Sequence, residues 1–169
     1  MTQQHHDIEQ AIAQMAEQLR TQLGDDGAQE ALMVGIHTGG VWVAERLHPL
    51  LGNQQPLGKL DISFYRDDFS RIGMNPQVKP SKLPVSVEDK HILLVDDILH
   101  TGRTIRAAMN EIFDYGRPAS IRLVVLGERD GRELPIQPDV VGQHLLLGPH
   151  EHVKLSGPDE LTLTVTTTV

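Results

Sequence analysis

The sequence predicts an α/β fold, in which a parallel β-sheet forms the core and helices cover both of its faces. Short, mainly apolar segments, typical of strands buried on both faces, occur at Ala31–Ile36, His91–Val95 and Ile121–Leu126. Segments with apolar residues at helical spacing stand between them, and this alternation is typical of parallel sheets. A chain of 169 residues buries about two-thirds of its surface on folding. We therefore expect one domain over residues 1–169.

The first helix is predicted from an apolar stripe near the N-terminus. Asp7 precedes the stripe as a candidate N-cap, and Gly24 follows it as a candidate stop. The members of the stripe are three or four positions apart: Ile8, Ile12, Met15, Leu19 and Leu23. The strand at Ala31–Ile36 leads through a turn into a second predicted helix, Val41–Leu51.

The chain between the first two core strands is less regular. Residues Gly58–Phe64 alternate as a strand does, with Leu60, Ile62 and Phe64 on one face. Residues 66–84 have little periodicity and contain a glycine and several prolines. We expect a long flexible loop there, and loops of this length inside a domain are usually functional.

The second half of the chain continues the alternation. The strand at His91–Val95 is followed by a helix that ends at Gly116, and then by the strand at Ile121–Leu126. The apolar stripe of that helix consists of Ile105, Ala108, Met109, Ile112 and Phe113. Two further short strands are predicted at Val140–Val141 and Leu161–Val165.

Composition excludes several classes of protein. The chain has 15 basic and 23 acidic side chains, for a net charge of −8, so unspecific nucleic-acid binding is not expected unless cations cluster on one face. It has no cysteine, which excludes disulfides, thiol catalysis and cysteine-ligated zinc. No apolar run reaches the roughly 18 residues of a membrane span, and no secretory signal is visible. We expect a cytoplasmic protein that does not bind membranes.

The candidate site follows the strand at His91–Val95. Asp96 and Asp97 end this strand, and the sequence Thr-Gly-Arg-Thr, residues 101–104, opens the next helix. Gly102 lets a phosphate approach the backbone, while Thr101 and Thr104 add hydroxyl donors at a helix N-terminus. The acids repel phosphate and instead suit a neighbouring group with donor hydroxyls, such as a ribose, or a bound cation. Ligands of open α/β sheets bind at this end of the strands.

Two other interpretations explain parts of this pattern. Receiver domains of response regulators also carry two acids after a strand, but near the start of the domain and without Thr-Gly-Arg-Thr behind them. A helix cap without a ligand explains one threonine but not the two acids, Gly102 and the second threonine together.

Residues 92–104 closely resemble the phosphoribosyl-diphosphate (PRPP) signature of type I phosphoribosyltransferases. Other segments make the chain resemble the PyrR family, which are bifunctional pyrimidine-operon regulators with uracil phosphoribosyltransferase activity. The resemblance runs from about residue 7 to the C-terminus. The additional segments are Val34–Gly40, Asp61–Asp68, Tyr115–Ile121 and Arg132–Ile136.

The resemblance implies the type I phosphoribosyltransferase fold, a parallel sheet core flanked by helices, with a small hood and a long flexible loop. It also implies a reaction that makes UMP and diphosphate from uracil and PRPP. Mg²⁺ is the implied cofactor, held mainly through PRPP oxygens, with no metal site built by the protein alone. UMP, GMP or another nucleotide is the implied effector, and a homo-oligomer of two or more chains is implied.

The same resemblance implies roles for individual residues. Asp96 and Asp97 hold the ribose hydroxyls and stabilise the sugar cation, and the 5′-phosphate is anchored by Thr101, Gly102, Arg103 and Thr104. The diphosphate loop is Thr38, Gly39 and Gly40. Many relatives have arginine at the position of Gly39, so a cation expected beside the diphosphate is missing here. Gly39 as an ordinary turn residue is the alternative.

Arg66 begins the long loop, which we expect to be a net-basic lid over the diphosphate and to supply a catalytic cation. A solvated surface loop is the alternative. The loop after the last core strand, with Gly127, Glu128 and Arg129, is expected to read the base, in part through backbone groups. His100 is expected to be exposed rather than catalytic, and Trp42 is expected to be a packed core residue.

Two other functions stay open: a purine phosphoribosyltransferase, and an RNA-binding attenuation regulator with little turnover. The resemblance assigns RNA contact to the first helix and to the segment around Arg132. Of the positions matched to cationic or polar residues in RNA-binding relatives, only Arg132 is basic here. We therefore expect RNA binding to be weak or absent. The other matched positions are Ala13, Gln14, Glu17, Gly131, Gln137 and Gln143.

Overall fold

The computed structural model describes residues 7–62 and 81–169. Within these ranges the chain forms three helices and seven strands. The helices are α1 (Ile8–Glu30), α2 (Gly39–Leu50) and α3 (Arg103–Tyr115). The strands are β1 (Leu32–Ile36), β2 (Gly58–Leu60), β3 (His91–Leu99), β4 (Ser120–Arg129), β5 (Val140–Leu145), β6 (Glu151–Ser156) and β7 (Thr162–Thr167).

The central sheet has the strand order β2-β1-β3-β4-β5 in the described part of the chain, and every neighbouring pair is parallel. The predicted parallel core is confirmed. Because all of these strands run the same way, their carboxyl ends lie at one edge of the sheet. That edge is where ligands bind in open α/β folds.

Each face of the sheet carries its own apolar core. The stripe of α1 packs on one face together with α2, so that Ile12, Met15 and Leu19 are fully buried. On the other face, Ile105, Ala108 and Ile112 of α3 pack against β3. Burial of both faces explains why the central strands are mainly apolar.

The ends of α1 follow the predicted signals in part. Asp7 caps the helix, since its Oδ1 accepts a hydrogen bond from the backbone N–H of Gln10 at 3.0 Å. Gly24 breaks the helix, as predicted, with φ of 73°, a left-handed value that favours glycine. Helical geometry then resumes up to Glu30, so the prediction that the helix stops at Gly24 was incomplete.

Two core strands are longer than the apolar pattern predicts, and one is shorter. β3 extends beyond Val95 to Leu99, and β4 extends beyond Leu126 to Arg129, because polar residues at their carboxyl ends remain in register. β2 ends at Leu60. Phe64, with which the predicted strand ended, lies outside the described residues.

A β-hairpin, which we call the hood hairpin, is formed by β6 and β7 near the C-terminus. Its inner side chains Leu155, Leu161 and Leu163 pack on the α1 side of the core, where Trp42 also packs. Arg46 of α2 fixes the turn of the hairpin, because its Nη2 donates to the carbonyl oxygens of Pro158 at 2.7 Å and Asp159 at 3.0 Å.

Most of the predicted loop at 66–84 lies outside the described residues. The described residues on either side of it meet, since the backbone groups of Lys59 and Lys82 exchange two hydrogen bonds of 2.8 Å. The hydroxyl of Ser81 accepts from the backbone N–H of Asp61 at 3.1 Å and donates to Glu111 of α3.

Candidate functional site

The two acids at the end of β3 are held by the backbone that follows them. Asp96 is 6% exposed and Asp97 is half-buried. The N–H of Asp97 donates to Asp96 Oδ1 at 2.9 Å, and the N–H of Ile98 donates to Asp97 Oδ1 at 2.7 Å. These bonds fix both carboxylates at the carboxyl edge of the sheet.

The turn between β3 and α3 has the geometry of an anion site. Gly102 precedes the helix with φ of 94°, and no side chain caps the helix at this position. The hydroxyl oxygen of Thr101 accepts from the N–H of Arg103 at 3.2 Å. Thr104 is half-buried in the first helical turn. An N-terminus of this kind directs N–H groups and the positive end of the helix dipole toward an anion.

The segment before β5 braces this turn. The N–H groups of Glu133 and Leu134 donate to the carbonyl oxygen of Thr101 at 3.0 Å and 3.2 Å. Arg132 Nη1 donates to the carbonyl oxygen of His100 at 2.6 Å. Arg103 is exposed and forms a 3.3 Å ion pair with Glu133. The Arg-Glu-Leu-Pro segment therefore supports the turn that the sequence assigns to the phosphate.

The loop between β1 and α2 lies beside the acids. Thr38 precedes α2 without making a side-chain cap, and Gly39 and Gly40 begin the helix. An ideal Cβ on Gly40 would lie 2.6 Å from the carbonyl oxygen of Val95, and one on Gly39 would lie 2.3 Å from Asp97 Oδ2. The structure thus brings together the predicted diphosphate loop and the predicted ribose acids.

The residues predicted to read the base lie at the carboxyl end of β4. Gly127 packs closely on Ile98, since an ideal Cβ would lie 2.8 Å from its Cδ1. Glu128 forms an ion pair with Arg132, and its Oε2 lies 3.2 Å from His144 Nδ1. Glu128 also lines a cavity of about 630 Å³. Base recognition by these residues stays a prediction.

Arg129 is directed toward the hood hairpin. It is 9% exposed, and its guanidinium donates to the carbonyl oxygens of Glu151 at 2.8 Å and Gly148 at 3.4 Å. The geometry gives this side chain an anchoring contact, which the sequence analysis did not foresee. No local sequence signal marks such a contact, because it joins two distant segments.

Of the other residues discussed from the sequence, Arg66 is not described by the structure and His100 is. Arg66, predicted to be catalytic, lies outside the described residues, as do the neighbouring Asp67 and Asp68. His100 is exposed, as expected. Partial burial, and then the charge of Arg129, lowers the pKa of its imidazole below the ordinary value.

The donor set fits a metal ion whose ligands come mainly from the substrate. In the described ranges, no group of three or more histidine or acidic side chains could hold a metal. Asp96 and Asp97 can supply one or two carboxylate ligands, which is the usual protein share for Mg²⁺ bound with phosphates.

Of the described helices, none is both long and apolar enough to cross a membrane.

Residues 1–153 match the model of the phosphoribosyl transferase domain family. The chain is 59% identical over 160 residues to the Bifunctional protein PyrR of Nitrosococcus oceani, covering 94% of this chain and 90% of that protein. It is 59% identical over 152 residues to the Bifunctional protein PyrR of Pseudomonas aeruginosa, covering 90% and 89%.

Solved structures show the same fold. A purine phosphoribosyltransferase from Pyrococcus horikoshii superposes with a TM-score of 0.63 at 26% identity, covering 82% of each chain. A hypoxanthine-guanine phosphoribosyltransferase from Bacillus anthracis superposes with a TM-score of 0.66 at 18% identity, covering 85% of this chain and 80% of that one.

Proposed function

This chain belongs to the PyrR family of phosphoribosyltransferases, and we propose that it makes UMP and diphosphate from uracil and PRPP. In this reaction the bond between C1 of the ribose and the diphosphate oxygen breaks, and a bond from uracil N1 to C1 forms. Positive charge develops on the sugar and negative charge on the leaving diphosphate. The protein's contribution is orientation and electrostatic stabilisation.

The observation that carries this proposal is the position of two helix N-termini on either side of one acid pair. The N-terminus of α3, behind Gly102, suits the 5′-phosphate, and the N-terminus of α2, at Gly39 and Gly40, suits the diphosphate. Asp96 and Asp97 lie between them and suit the ribose hydroxyls. The three parts of PRPP thus have matching chemistry along one edge of the sheet.

Mg²⁺, when bound, neutralises charge on the leaving diphosphate. Asp96 and Asp97 are the residues that would contribute ligands to it, while the substrate oxygens supply the rest. Arg66 is proposed as an additional cation for the diphosphate. In the sequence it follows the predicted strand that ends at Phe64, and both residues lie outside the described ranges.

Uracil is proposed as the base because the relatives with 59% identity are named PyrR, whereas the purine enzyme is 26% identical. We propose that Gly127, Glu128 and Arg129 form the base-reading loop, with the hood hairpin as its cover. Since Arg129 donates to backbone carbonyl oxygens of the hairpin segment, its part is to hold this cover.

Diphosphate release from PRPP and Mg²⁺ tests the proposal. The assay is run separately with uracil, hypoxanthine, guanine and orotate. Release with uracil is the expected result. Diphosphate release with a purine base but none with uracil would favour a purine phosphoribosyltransferase. If none of the four bases supports release, a regulator with little turnover is favoured.

Regulation through RNA is the second candidate function, because the relatives are named bifunctional. We propose that this chain binds leader RNA weakly or not at all. The exposed residues Gln14 and Glu17 of α1 offer no cation, and Arg20 is paired with Glu17. Arg132 is paired with Glu128. Because the described cations Arg20 and Arg132 are each paired with an acid, we expect these two segments to gain little from counterion release.

The RNA proposal is tested by filter binding of a pyrimidine leader RNA at about 0.1 M salt with UMP present. A variant with Gln14→Arg, Gln137→Arg and Gln143→Lys serves as the charge-restored control. Weak binding by the wild type and stronger, salt-sensitive binding by the variant are expected. Submicromolar, sequence-selective binding by the wild type contradicts the proposal.

We further propose that UMP, GMP or another nucleotide acts as an effector at the PRPP edge, and that the protein works as a homo-oligomer in the cytoplasm. A nucleotide contains the ribose and 5′-phosphate of PRPP, so the same turn can hold both. Sedimentation with and without UMP measures the oligomer directly.

A further inference from the structure

The outer edge of β7, the side of this strand that faces away from β6, has no strand beside it within the described chain. The hood hairpin is a two-stranded sheet, so β7 pairs with β6 alone. Residues 161–169, which contain β7, are all leucine, valine or threonine. Valine and threonine favour strands, and this stretch has no charge, proline or glycine to interrupt pairing.

The register of the hairpin shows which backbone groups point to the outer edge. The N–H of Thr168 donates to the carbonyl oxygen of His150 at 2.9 Å, in the same register as the pairs of β6 and β7. Hydrogen-bonded positions alternate along an antiparallel pair. The even-numbered residues of β7 therefore direct their backbone groups to β6. Those of Leu163, Val165 and Thr167 point to the outer edge.

The two edges of the hairpin differ in their protection. Edge strands of folded proteins usually carry charged side chains, proline or a bulge, which prevent pairing with another chain. β6 follows this rule, since Glu151, His152 and Lys154 lie along it. β7 carries no charge and no proline, and residues 164–169 are exposed. Its edge can therefore accept a further strand.

We propose that the outer edge of β7 is an interface at which a second copy of this chain pairs antiparallel with it, around a twofold axis. The two hairpins then form one four-stranded sheet. Charge favours this occupant, because chains with a net charge of −8 repel each other and an uncharged contact adds no like-charge pair. A partner recognised through charge finds no charged side chain here. The inference does not rest on the proposed reaction.

The side chains select the register of this pairing. With Thr164 opposite Thr164 of the second copy, Leu163 lies opposite Val165 on one face, and threonines lie opposite threonines on the other. The outward backbone groups of Leu163 and Val165 then bond to each other across the axis. Leu163 already packs on the core and Val165 is 41% exposed, so the pairing extends an apolar face.

The pairing is closed and small. A twofold contact uses the same edge of both chains, so it stops at two copies. A contact through one strand lies at the low end of interface sizes, where complexes are weak. We expect a dissociation constant of about micromolar size. If another surface also joins copies of the chain, the β7 contact doubles that assembly.

Cross-linking tests the register. The chain has no cysteine, so an introduced cysteine can form a disulfide only with its own copy. Thr164→Cys should give a disulfide-linked dimer on mild oxidation, because opposite Cα atoms at such a non-hydrogen-bonded pair are about 4.5 Å apart. Thr166→Cys is the control on the same face, and it should stay unlinked because its copy lies about 14 Å away along the strands. No link through Thr164→Cys, or equal linking of both variants, overturns the inference.

The oligomeric state tests the same edge without cysteine. Thr164→Glu places two carboxylates opposite each other across the axis, while Lys154 stands beside it in its own hairpin. In sedimentation at about 100 μM, its average mass should be lower than that of the wild type, by up to about twofold. Thr164→Val is the uncharged control and should match the wild type. Equal masses of Thr164→Glu and the wild type overturn the inference.

Exchange of single amides with solvent, followed by NMR, separates this pairing from any other interface. In the wild type, the amides of Leu163, Val165 and Thr167 should exchange about tenfold or more slowly than in Thr164→Glu. The amide of Thr166, which faces β6, should exchange equally in both, and a change there would report a damaged hairpin. Outward amides that exchange equally fast in both proteins overturn the inference. These measurements need no substrate, so they stand even if the proposed reaction fails.

Discussion

Asp96 and Asp97 are adjacent in sequence but have different surroundings. Asp96 is almost fully buried, whereas Asp97 is half-buried beside Gly39. Both are fixed by backbone N–H groups, so a change from carboxylate to amide alters charge with little change of shape. Their effect on the reaction can therefore be measured with little disturbance of the fold.

Asp96→Asn or Asp97→Asn should lower turnover several-fold to several-hundred-fold, corresponding to a loss of about 1–3 kcal/mol of charged contact to the transition state. The reason is the loss of negative charge beside the developing sugar cation. Initial rates with PRPP, Mg²⁺ and uracil are the measurement. Asp25→Asn, an exposed acid on α1, is the matched control, and an equal loss there contradicts the prediction.

The partly buried carboxyl of Glu111 is expected to lower the stability of the folded protein at neutral pH. Burial raises the pKa of its carboxyl above the ordinary value, although the hydroxyl of Ser81 donates to it. Among the described residues, Glu111 Oε2 has no hydrogen-bond partner. With the folded pKa above the unfolded one, the carboxylate lowers stability at neutral pH, and stability rises as pH falls through the folded pKa.

Glu111→Gln should therefore melt at a higher temperature than the wild type at pH 7, and this advantage should shrink as pH falls toward the ordinary glutamate pKa. Gln keeps the acceptor for Ser81 and removes the buried charge. Melting curves at several pH values make the comparison, with the exposed Glu160→Gln as control. A variant that melts lower than the wild type at pH 7 contradicts this prediction.

The site residues that could be predicted from the sequence are those whose chemistry is local. Asp96, Thr101 and Gly102 lie within a few positions of one another. The end of β3 and the start of α3 define their geometry. Arg129 and Arg132 are different, because each donates to carbonyl oxygens of segments that are distant in sequence. Which carbonyl groups meet a guanidinium depends on how the elements pack, so these two bracing contacts could not be predicted.

At the scale of elements, the hood hairpin depends on its attachment. A two-stranded sheet is marginally stable by itself. Leu155 and Leu161 of the hairpin are buried against the rest of the protein. In addition, Arg46 and Arg129 each donate hydrogen bonds to backbone carbonyl oxygens of the hairpin or of the adjoining turn. Since Arg46 lies on α2, the hairpin is linked to the helix that begins at Gly39, in the predicted diphosphate loop.

Arg46→Met should loosen the hairpin, because the carbonyl oxygens of Pro158 and Asp159 lose their donor. We expect a loss of about 1–3 kcal/mol of unfolding free energy and faster hydrogen exchange in β6 and β7. Lys154→Met, at an exposed position of β6, is the control. Unchanged exchange in the hairpin of Arg46→Met contradicts this attachment.

The elements that sequence analysis predicted well are those buried on two faces. β1 and the central parts of β3 and β4 are mainly apolar because helices cover the sheet on both sides. β6 was missed, since Leu155 is its one fully buried side chain and its sequence otherwise reads as polar. Its strand geometry comes from pairing with β7 and from docking on α2 and α1, which a local pattern does not contain.

At the scale of the whole molecule, ligand binding and folding are linked. The proposed PRPP edge is built from α2, β3 and α3, and it exists only when these elements are packed. A ligand that binds this edge therefore stabilises the folded chain by mass action.

PRPP with Mg²⁺, UMP or GMP should raise the melting temperature. At about 100 times the dissociation constant, the gain is roughly 2.7 kcal/mol. Differential scanning fluorimetry measures this gain. Gly102→Ala, which strains the left-handed residue of the turn proposed to hold the 5′-phosphate, should shift less. No shift of the wild type with any of these ligands at millimolar concentration contradicts a functional PRPP edge.

The strand order was not predicted from the sequence. The parallel sheet, and the place of Asp96 and Asp97 near the carboxyl end of β3, followed from the alternation of elements and the signature at residues 92–104. The contact between Gly39 and Asp97 did not, because residues 39 and 97 are far apart in the chain.

The most direct measurement of the central claim is a competition among bases. Wild-type protein is given PRPP, Mg²⁺ and equal concentrations of uracil, hypoxanthine, guanine and orotate, and the nucleotides formed are separated and identified. The ratio of products reports the ratio of kcat/KM values for the bases. We predict that UMP is the main product and that Asp96→Asn lowers its yield. IMP or GMP as the main product, with no UMP, would contradict the assignment.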